Sequence, residues 1–333
     1  MANRIPRRQF LAATLAAATL PQVLRTESIM AQTPSGAEPP IPIIDTHIHL
    51  FDPTRPQGVP WPGANNAVLY KPALPARYRQ VVAGLNVVGA IEVECSTWLE
   101  DNQWVLDVAD ADKIMVGTVG NLEPGKPEFP AQLERFTKNP LFRGIRYGNL
   151  WGRNLGVELD KPEFVADLKR LVAAGLELDS ANPTPQLLAD LVKASDRVPE
   201  LRIVLDHLPN LPRPPEGAAR TMYDTAIKQL AQRPQVYFKV SEVLHRGPGG
   251  TVSLDLATYR EKLDEMYDTF GPDRLLYGSD WPNSDPIAPY PQVLGIVRDY
   301  FMAKGREVAE KYFWKNSVKA YRWVKRDASQ PAV

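Results

Sequence analysis

Short apolar segments of strand length alternate with longer amphipathic segments from Ile41 onward. Eight of the short segments are rich in β-branched residues, apolar on both faces and bounded by turn residues, which is typical of strands in a buried parallel sheet. These predicted strands are Ile41–Asp45, Val87–Glu94, Ile114–Val119, Phe142–Tyr147, Leu176–Asp179, Arg202–Asp206, Val236–Ser241 and Leu275–Gly278. Helical patterns lie between them, among them Asp101–Ala111, Lys161–Ala174, Pro185–Arg197, Ala218–Gln232 and Leu256–Phe270.

The number of strands favours an α/β fold of the (β/α)8 TIM-barrel type. Eight strand–helix repeats over roughly 280 residues match the usual barrel length of about 250. A doubly wound open sheet is the alternative, but it usually has fewer strands and favours a glycine-rich phosphate loop after the first strand, which this sequence lacks. We therefore predict a single barrel domain over residues 41–325, followed by a tail over 326–333. Catalytic residues of such barrels lie just past the carboxyl ends of the strands.

The chain begins with a segment typical of export rather than of a fold. Arg7 and Arg8 precede a short apolar run, Phe10–Leu20, and the sequence around them resembles a twin-arginine signal. The run is shorter than the roughly 20 residues that a membrane span requires. We expect residues 1–31 to be a twin-arginine-type signal peptide and 32–40 a flexible leader. An amphipathic N-terminal helix is the alternative. The prediction is a periplasmic enzyme, exported by the twin-arginine machinery, without a stable membrane anchor.

Composition narrows the possible functions. The 39 basic and 39 acidic residues balance, so no electrostatic argument favours nucleic acid or a membrane surface as a partner. Cys95 is the only cysteine, which excludes an intramolecular disulfide and a thiolate metal cluster. The chain has only four histidines, so any clustering of them carries more weight than usual.

Two of these histidines follow the first predicted strand. His47 and His49 stand at i and i+2 on an extended segment, so their rings point to the same side. This spacing suits a shared metal ion or two imidazole donors directed at one carbonyl oxygen. An isolated pair of histidines at this spacing is equally often a pair of solvated or capping residues in a loop.

Two further polar residues follow other strands. His207 comes after strand six and Asp280 after strand eight. Taken singly, His207 suits a structural role and Asp280 suits a helix cap. In a closed barrel, however, strands one and eight are neighbours, so we expect Asp280 to lie beside His47 and His49, with His207 facing it across the mouth.

Three motifs together resemble the amidohydrolase superfamily. They are Ile43–Asp52, Leu205–Pro209 and Tyr277–Pro282, and the resemblance extends from about Ile41 to Trp323. Within the superfamily, the chain is most similar to the amidohydrolase-2 branch, which includes 2-pyrone-4,6-dicarboxylate lactonase and related lactone hydrolases. The motifs are specific for the superfamily and less specific for the lactonase branch.

The resemblance implies roles for four residues. His47, His49 and His207 match positions that hold a divalent metal in many relatives, or that bind the substrate carbonyl directly in metal-free lactonases. Asp280 matches the residue that takes a proton from the attacking water, and it is a further possible metal ligand.

The sequence departs from the two-metal pattern of the superfamily. Strand four ends in Arg146-Tyr147 without a bridging lysine, and strand five ends in Asp179-Ser180 without a histidine. The resemblance therefore implies at most one divalent ion, zinc or manganese, or none.

Other strand ends supply candidates for substrate binding. Arg146 lies in a segment similar to the lactonase segment whose arginine binds a substrate carboxylate, and a guanidinium suits a carboxylate bidentately. Alternation along the strand turns Arg143 the other way. Arg153 is a candidate second clamp, and Tyr147 and Glu94 are candidate lining residues. For each of these residues, the alternative to substrate binding is a role in a salt bridge, as a surface charge or as structural support. Lys239 and Ser241 on strand seven are further lining candidates.

The function that these residues favour is hydrolysis of a small-molecule lactone, or a similar cyclic ester, that carries a carboxylate or several hydroxyls. Asp280 would act as general base, and the imidazoles would polarise the carbonyl, directly or through one metal ion. Metal-dependent non-oxidative decarboxylation in the same superfamily is the alternative. Amide hydrolysis and non-catalytic periplasmic ligand binding are weaker ones.

Overall fold

A computed structural model describes residues 38–332 of the chain, and eight parallel strands form the sheet within them. Each strand pairs with its neighbours in sequence order, so every connection passes over the outside of the sheet in the βαβ manner. The strands are β1 (Ile43–Ile48), β2 (Val87–Val93), β3 (Met115–Gly120), β4 (Phe142–Arg146), β5 (Glu177–Ser180), β6 (Arg202–Leu205), β7 (Val236–Val240) and β8 (Leu275–Tyr277).

The sheet closes between β1 and the segment that follows β8. The backbone N–H of Asp280 donates to the His47 carbonyl (2.9 Å), and the N–H of His49 donates to the Trp281 carbonyl (2.8 Å). A parallel bridge joins Ile48 to Trp281. The predicted (β/α)8 barrel is therefore confirmed, and the open-sheet alternative is wrong. The predicted signal peptide, and all but the last residues of the predicted leader, lie outside the described residues.

Helices follow the strands and pack on the outside of the barrel. They are α1 (Pro75–Val81), α2 (Asp101–Ala111), α3 (Phe129–Thr137), α4 (Leu155–Glu158), α5 (Pro162–Ala173), α6 (Pro185–Arg197), α7 (Ala218–Ala231), α8 (Arg260–Phe270), α9 (Tyr290–Ala303), α10 (Arg306–Glu310) and α11 (Asn316–Tyr321), with a π-helical turn at Lys311–Lys315. Short 3-10 turns occur at Leu150–Gly152, Leu208–Asn210, Pro248–Gly250 and Leu256–Thr258. Across residues 38–332, no helix combines the length and the apolar character that crossing a membrane requires.

Strand and helix boundaries differ from the sequence prediction in two places. The predicted strand Ile41–Asp45 begins too early and ends too early, because β1 continues through His47 to Ile48. The strand continues through these polar residues because its inward side chains lie in the upper part of the barrel, which is charged. The single helix predicted over Leu256–Phe270 is also wrong: Asp255 caps a separate 3-10 turn by accepting from the Ala257 N–H (2.9 Å), and α8 begins afterwards.

Two apolar layers position the strands. One lies between the strands and the surrounding helices, and a second joins inward residues such as Ile44, Ile91 and Leu276 to Tyr321 and Trp323 at the C-terminal end. Burial of each such side chain contributes roughly 1.5–3 kcal/mol. This packing fixes the strands below the mouth, so the polar residues at their carboxyl ends are held on a rigid base.

Candidate active site

Asp280 stands at the centre of the four residues that the sequence brings to the mouth. Its Oδ1 lies 3.0 Å from His49 Nε2 and 3.5 Å from His47 Nε2. The His207 ring lies 4.5 Å from the His47 ring, centroid to centroid. All four side chains are buried. The predicted meeting of Asp280 with the three histidines is therefore observed.

The junction of β1 and β8 is held from below by Asp45. Its carboxylate accepts hydrogen bonds from the Tyr78 and Tyr290 hydroxyls (2.8 Å each) and from the Ser279 backbone N–H (2.9 Å). Because Asp45 and Ser279 each lie within two residues of a site residue, these bonds fix His47 and Asp280 relative to one another. Such supporting hydrogen bonds determine how precisely catalytic groups are placed.

Three residues just past neighbouring strands share an unusual backbone conformation. His207, Glu242 and Asp280 follow β6, β7 and β8, and their φ angles are 55°, 52° and 58°. Residues with side chains rarely adopt this left-handed region, and strained positions of this kind cluster at functional sites. The shared conformation marks Glu242 as part of the same constellation.

The imidazole ring of His49 is oriented to leave one nitrogen lone pair facing Asp280. Its Nδ1 lies 2.7 Å from the Val93 carbonyl, which can only accept, so Nδ1 carries the hydrogen and donates it. In the neutral ring, Nε2 is then an acceptor that faces a carboxylate oxygen, which is also an acceptor. A cation between the two, either a proton or a metal ion, satisfies both.

His47 completes a set of atoms that fits one metal ion. Its Nε2 is buried and has no hydrogen-bond partner within the described part of the chain. Its Nδ1 lies 3.5 Å from Asp206 and 3.3 Å from Lys239 Nζ, so a tautomer with the hydrogen on Nδ1, directed at Asp206, leaves Nε2 free to bind metal. Two ligand atoms each about 2.1 Å from one tetrahedral ion lie roughly 3.4 Å apart, which the spacings to Asp280 match. His47, His49 and Asp280 thus fit a divalent ion, and a second possible group is His207, Glu242 and Asp280.

The electrostatic surroundings keep Asp280 ionised and His47 neutral. Burial alone would raise the pKa of the Asp280 carboxyl, but the electrostatic interaction with His207, the hydrogen bond to His49 and the interaction with His47 together hold that pKa below its ordinary range. Burial and the nearby Lys239 ammonium lower the pKa of His47 well below its ordinary value. Asp280 is therefore ionised, and the His47 ring can act as a neutral ligand.

A buried ion cluster lies directly beneath His47. Lys239 Nζ lies 2.7 Å from an Asp179 oxygen, 2.8 Å from an Asp206 oxygen and 3.3 Å from His47 Nδ1. The side chains of Lys239, Asp179 and Asp206 are fully buried. The ammonium thus compensates two carboxylates inside the barrel and contacts the first histidine of the site. Sequence analysis placed Lys239 only as a candidate lining residue.

The charged side chains of the predicted substrate-binding residues on the β2–β4 side contact one another. Arg146 Nε donates to Glu94 (3.2 Å) and its Nη1 lies 3.6 Å from Asp206. Arg153 lies 2.7 Å from Glu123 and 3.7 Å from Glu94. Arg146, Arg153 and Glu94 are therefore brought together as an ion-pair network at the mouth. Their binding of substrate stays a prediction.

Tyr147 lies on the other side of β4. Its ring packs against Phe164 at 5.1 Å and beneath the Arg153 guanidinium at 5.1 Å, away from the imidazoles. Alternation along the strand explains this placement, since it turns consecutive residues to opposite faces. The same rule places Arg146 inside, whereas Arg143 donates to the Arg322 carbonyl (3.1 Å). The structure places Tyr147 beside Arg153 and apart from the imidazoles and Asp280.

Sequence reasoning missed three polar residues around Asp280. Asn283 donates to Asp280 Oδ2 (2.7 Å) and to Glu242 Oε1 (3.3 Å), and Asn210 donates to the other Glu242 oxygen. Burial and the neighbouring Asp280 raise the pKa of Glu242 to about 9. Glu242 could have been found by its position, because it follows strand seven as closely as His207 follows strand six.

Comparisons with known proteins show the family and the fold. The sequence profile described as amidohydrolase matches residues 44–323. L-fucono-1,5-lactonase of Burkholderia ambifaria is 29% identical over 249 residues, covering 72% of this chain and 80% of the relative. L-fucono-1,5-lactonase of Burkholderia multivorans is 25% identical over 288 residues, covering 81% of this chain and 92% of the relative. The fold matches the crystal structure of an amidohydrolase from Burkholderia multivorans with bound zinc (TM-score 0.73, 23% identity), over 85% of this chain and 99% of that one.

Proposed function

The chain belongs to the amidohydrolase family, and we propose that it is a hydrolase that opens the ring of a hydroxylated lactone. The observation that carries the proposal is the ionised Asp280 carboxylate held against the imidazoles of His47 and His49, with His207 beside them. The similarity to two L-fucono-1,5-lactonases supports a lactone as the substrate.

The geometry supports a two-stage hydrolysis. A water molecule in contact with Asp280 gives up a proton to the carboxylate as its oxygen adds to the lactone carbonyl. The oxygen that becomes negative would be stabilised by a proton carried on an imidazole or by an ion that the imidazoles hold. The tetrahedral species then collapses, the acyl carbon–ring oxygen bond breaks, and the proton held by Asp280 passes to the departing oxygen. The product is the open-chain hydroxy acid.

We propose that the site holds one divalent ion through His47, His49 and Asp280. The ligand atoms fit one ion, and the acceptor pair formed by His49 Nε2 and Asp280 Oδ1 at 3.0 Å requires a cation. When bound, such an ion would polarise the lactone carbonyl and stabilise the developing negative charge.

The purified protein should contain about one equivalent of zinc or manganese per chain, and removing His49 as a ligand should abolish that binding. Metal content measured by inductively coupled plasma mass spectrometry checks this for His49→Asn. His245→Asn is the matched control, because His245 is exposed and its Nδ1 faces the Val243 carbonyl (3.1 Å). Metal-free protein with full activity after chelation would contradict the proposal of an ion and leave direct polarisation by the imidazoles.

The pairing of the cations at the mouth favours a hydroxylated substrate over a carboxylated one. Arg146, Arg153 and Lys239 each already contact carboxylates of the chain. A substrate carboxylate would have to displace one of these partners and leave it buried and uncompensated, which is costly. Neutral hydroxyl groups of a substrate would not have to displace these carboxylates.

We therefore expect a hydroxylated 1,5-lactone to be hydrolysed with a kcat/KM at least about tenfold above that of a carboxylated lactone, a difference of about 1.4 kcal/mol. Initial rates on L-fucono-1,5-lactone and 2-pyrone-4,6-dicarboxylate, corrected for uncatalysed ring opening, measure the ratio. The opposite ratio would support the prediction that Arg146 binds a substrate carboxylate.

A panel of lactones, esters, amides and aromatic carboxylates tests the proposed function as a whole. We expect ring opening of lactones without release of carbon dioxide. Release of carbon dioxide from an aromatic carboxylate, with no lactone turned over, would overturn the proposal in favour of decarboxylation. Binding without turnover across the panel would favour a ligand-binding role.

We also propose that the enzyme works in the periplasm. The support is the sequence alone: the twin arginines Arg7 and Arg8 followed by the short apolar run Phe10–Leu20.

A further inference from the structure

A cavity of about 140 Å³ opens beside Asp280, between the segments that follow β6, β7 and β8. Its polar lining includes Asn210, Glu242, Asn283 and Ser284, and its apolar lining includes Leu244 and Ile287. The mechanism above uses none of these residues. The cavity is smaller than a complete ligand site of roughly 300–1,000 Å³, but it has the few convergent polar groups against an apolar wall that are typical of such sites.

The cavity is continuous with the reacting groups through Asn283. The Asn283 amide donates both to Asp280 Oδ2 (2.7 Å) and to Glu242 Oε1 (3.3 Å). A carboxylate oxygen of Glu242, one of Asp280 and a ring nitrogen of His207 all lie within 4.8 Å of one another. A lactone whose carbonyl faces the imidazoles therefore places the ring carbons next to the carbonyl within reach of Glu242.

One buried polar atom of the cavity has no partner. The Oγ of Ser284 makes no hydrogen bond within residues 38–332, although the residue is only 7% exposed. An unsatisfied buried hydroxyl costs about 1–3 kcal/mol, so such atoms call for an explanation. A hydroxyl group of a bound ligand, which both donates and accepts, would satisfy it.

We propose that this cavity is the subsite that recognises the ring hydroxyls of the lactone, with Glu242 as the residue that determines specificity. Glu242 bonds the hydroxyls nearest the carbonyl, and Ser284 bonds one further along. Leu244 and Ile287 pack against the apolar C–H face of the ring. This inference rests on the proposed lactonase function and adds the structural basis of its selectivity.

The test compares two lactones with the same six-membered ring. L-fucono-1,5-lactone carries ring hydroxyls, and δ-valerolactone carries none. For Glu242→Ala, we expect kcat/KM on the hydroxylated lactone to fall about 10- to 100-fold, as for the loss of a hydrogen bond to a carboxyl group. On δ-valerolactone the loss should be at least about fivefold smaller, because this substrate has no ring hydroxyls for Glu242 to bind.

Ser284→Ala separates recognition from structural support. The Ser284 hydroxyl has no partner in the described structure, so a purely structural role predicts an unchanged or higher melting temperature and unchanged kinetics. A role in the subsite predicts a loss of about 2- to 10-fold in kcat/KM on the hydroxylated lactone alone, the value of one neutral hydrogen bond. Glu216→Gln, a change at an exposed glutamate in the segment before α7, is the matched control and should leave both rates unchanged.

Each outcome decides between the two proposals. Turnover of neither lactone by the wild-type enzyme overturns the lactonase function and this inference with it. Equal kcat/KM on both lactones keeps the lactonase function and overturns the subsite. Equal losses on both substrates in Glu242→Ala, with no change in Ser284→Ala, also overturn the subsite. A loss in Glu242→Ala that is at least about fivefold larger on the hydroxylated lactone, with a loss on that substrate alone in Ser284→Ala, supports it.

Discussion

Asp280→Asn should lower kcat for lactone hydrolysis by about 10²- to 10⁴-fold, the usual contribution of a general base. The carboxylate is the group whose pKa is held below its ordinary range beside the imidazoles, so it is ionised and able to take a proton from water. The asparagine amide has the same shape but cannot accept that proton. Asparagine is also the most tolerant side chain for the left-handed backbone at this position, where φ is 58°.

Steady-state kinetics on L-fucono-1,5-lactone, with metal content and melting temperature measured on the same preparations, check this result. Asp285→Asn is the control. Asp285 lies in the same segment, pairs with Arg77 and contacts none of the site histidines that the structure describes, so its kcat should stay within about threefold of the wild type. Near-normal turnover by a folded, metal-replete Asp280→Asn enzyme would remove Asp280 from its role as base.

The positions of the strands followed from the apolar pattern because a parallel barrel buries both faces of each strand. Seven of the predicted strands overlap the observed ones to within about two residues at either end, the usual precision of such boundaries. The first predicted strand ended too early, at Asp45, because the polar residues that follow it were placed past the end of the strand. In the folded chain these polar residues are paired, Asp45 with two tyrosines of the outer helices and His49 with Val93 and Asp280. The polar residues of the first strand therefore mark how far along the barrel axis the site lies, and they do not mark the end of the strand.

The contacts among charged side chains at the mouth could not be predicted from the sequence. Arg146 and Glu94 were correctly placed at the mouth, yet their mutual contact depends on two strand ends that are 52 residues apart. Glu242 was overlooked because a glutamate past a strand end usually faces solvent. Its side chain is partly buried, and its contacts with Asn210 and Asn283 come from separate segments. Neighbours that follow from closure of the barrel, such as Asp280 and His49, were predictable, and pairings among charged side chains were not.

The buried cluster beneath His47 gives the largest expected change in stability. Lys239→Met keeps a side chain of similar length and removes the ammonium that lies 2.7 Å from Asp179 and 2.8 Å from Asp206. Asp179 would then stay buried without a compensating charge, and Asp206 would keep only the Arg146 guanidinium at 3.6 Å, which should cost about 3–5 kcal/mol in the free energy of unfolding. Lys193→Met is the control: its Nζ lies 2.6 Å from Asp160, but the pair is solvent-exposed, so the loss should stay below about 1 kcal/mol.

The pH dependence of that loss identifies its cause. Burial and the nearby Asp206 raise the pKa of Asp179 to about 6, above the ordinary value of 3.8, even with Lys239 present. The folded Lys239→Met variant should therefore bind more protons than its unfolded state between about pH 4 and at least pH 6, and its stability should fall as the pH rises through that range. Urea unfolding at pH 5 and pH 8 measures this, with a smaller difference from the wild type expected at pH 5. A loss that is equal at both pH values would assign it to packing instead. Because Lys239 also contacts His47, the kcat of the variant at pH 8 should fall together with its stability, whereas Lys193→Met should leave kcat unchanged.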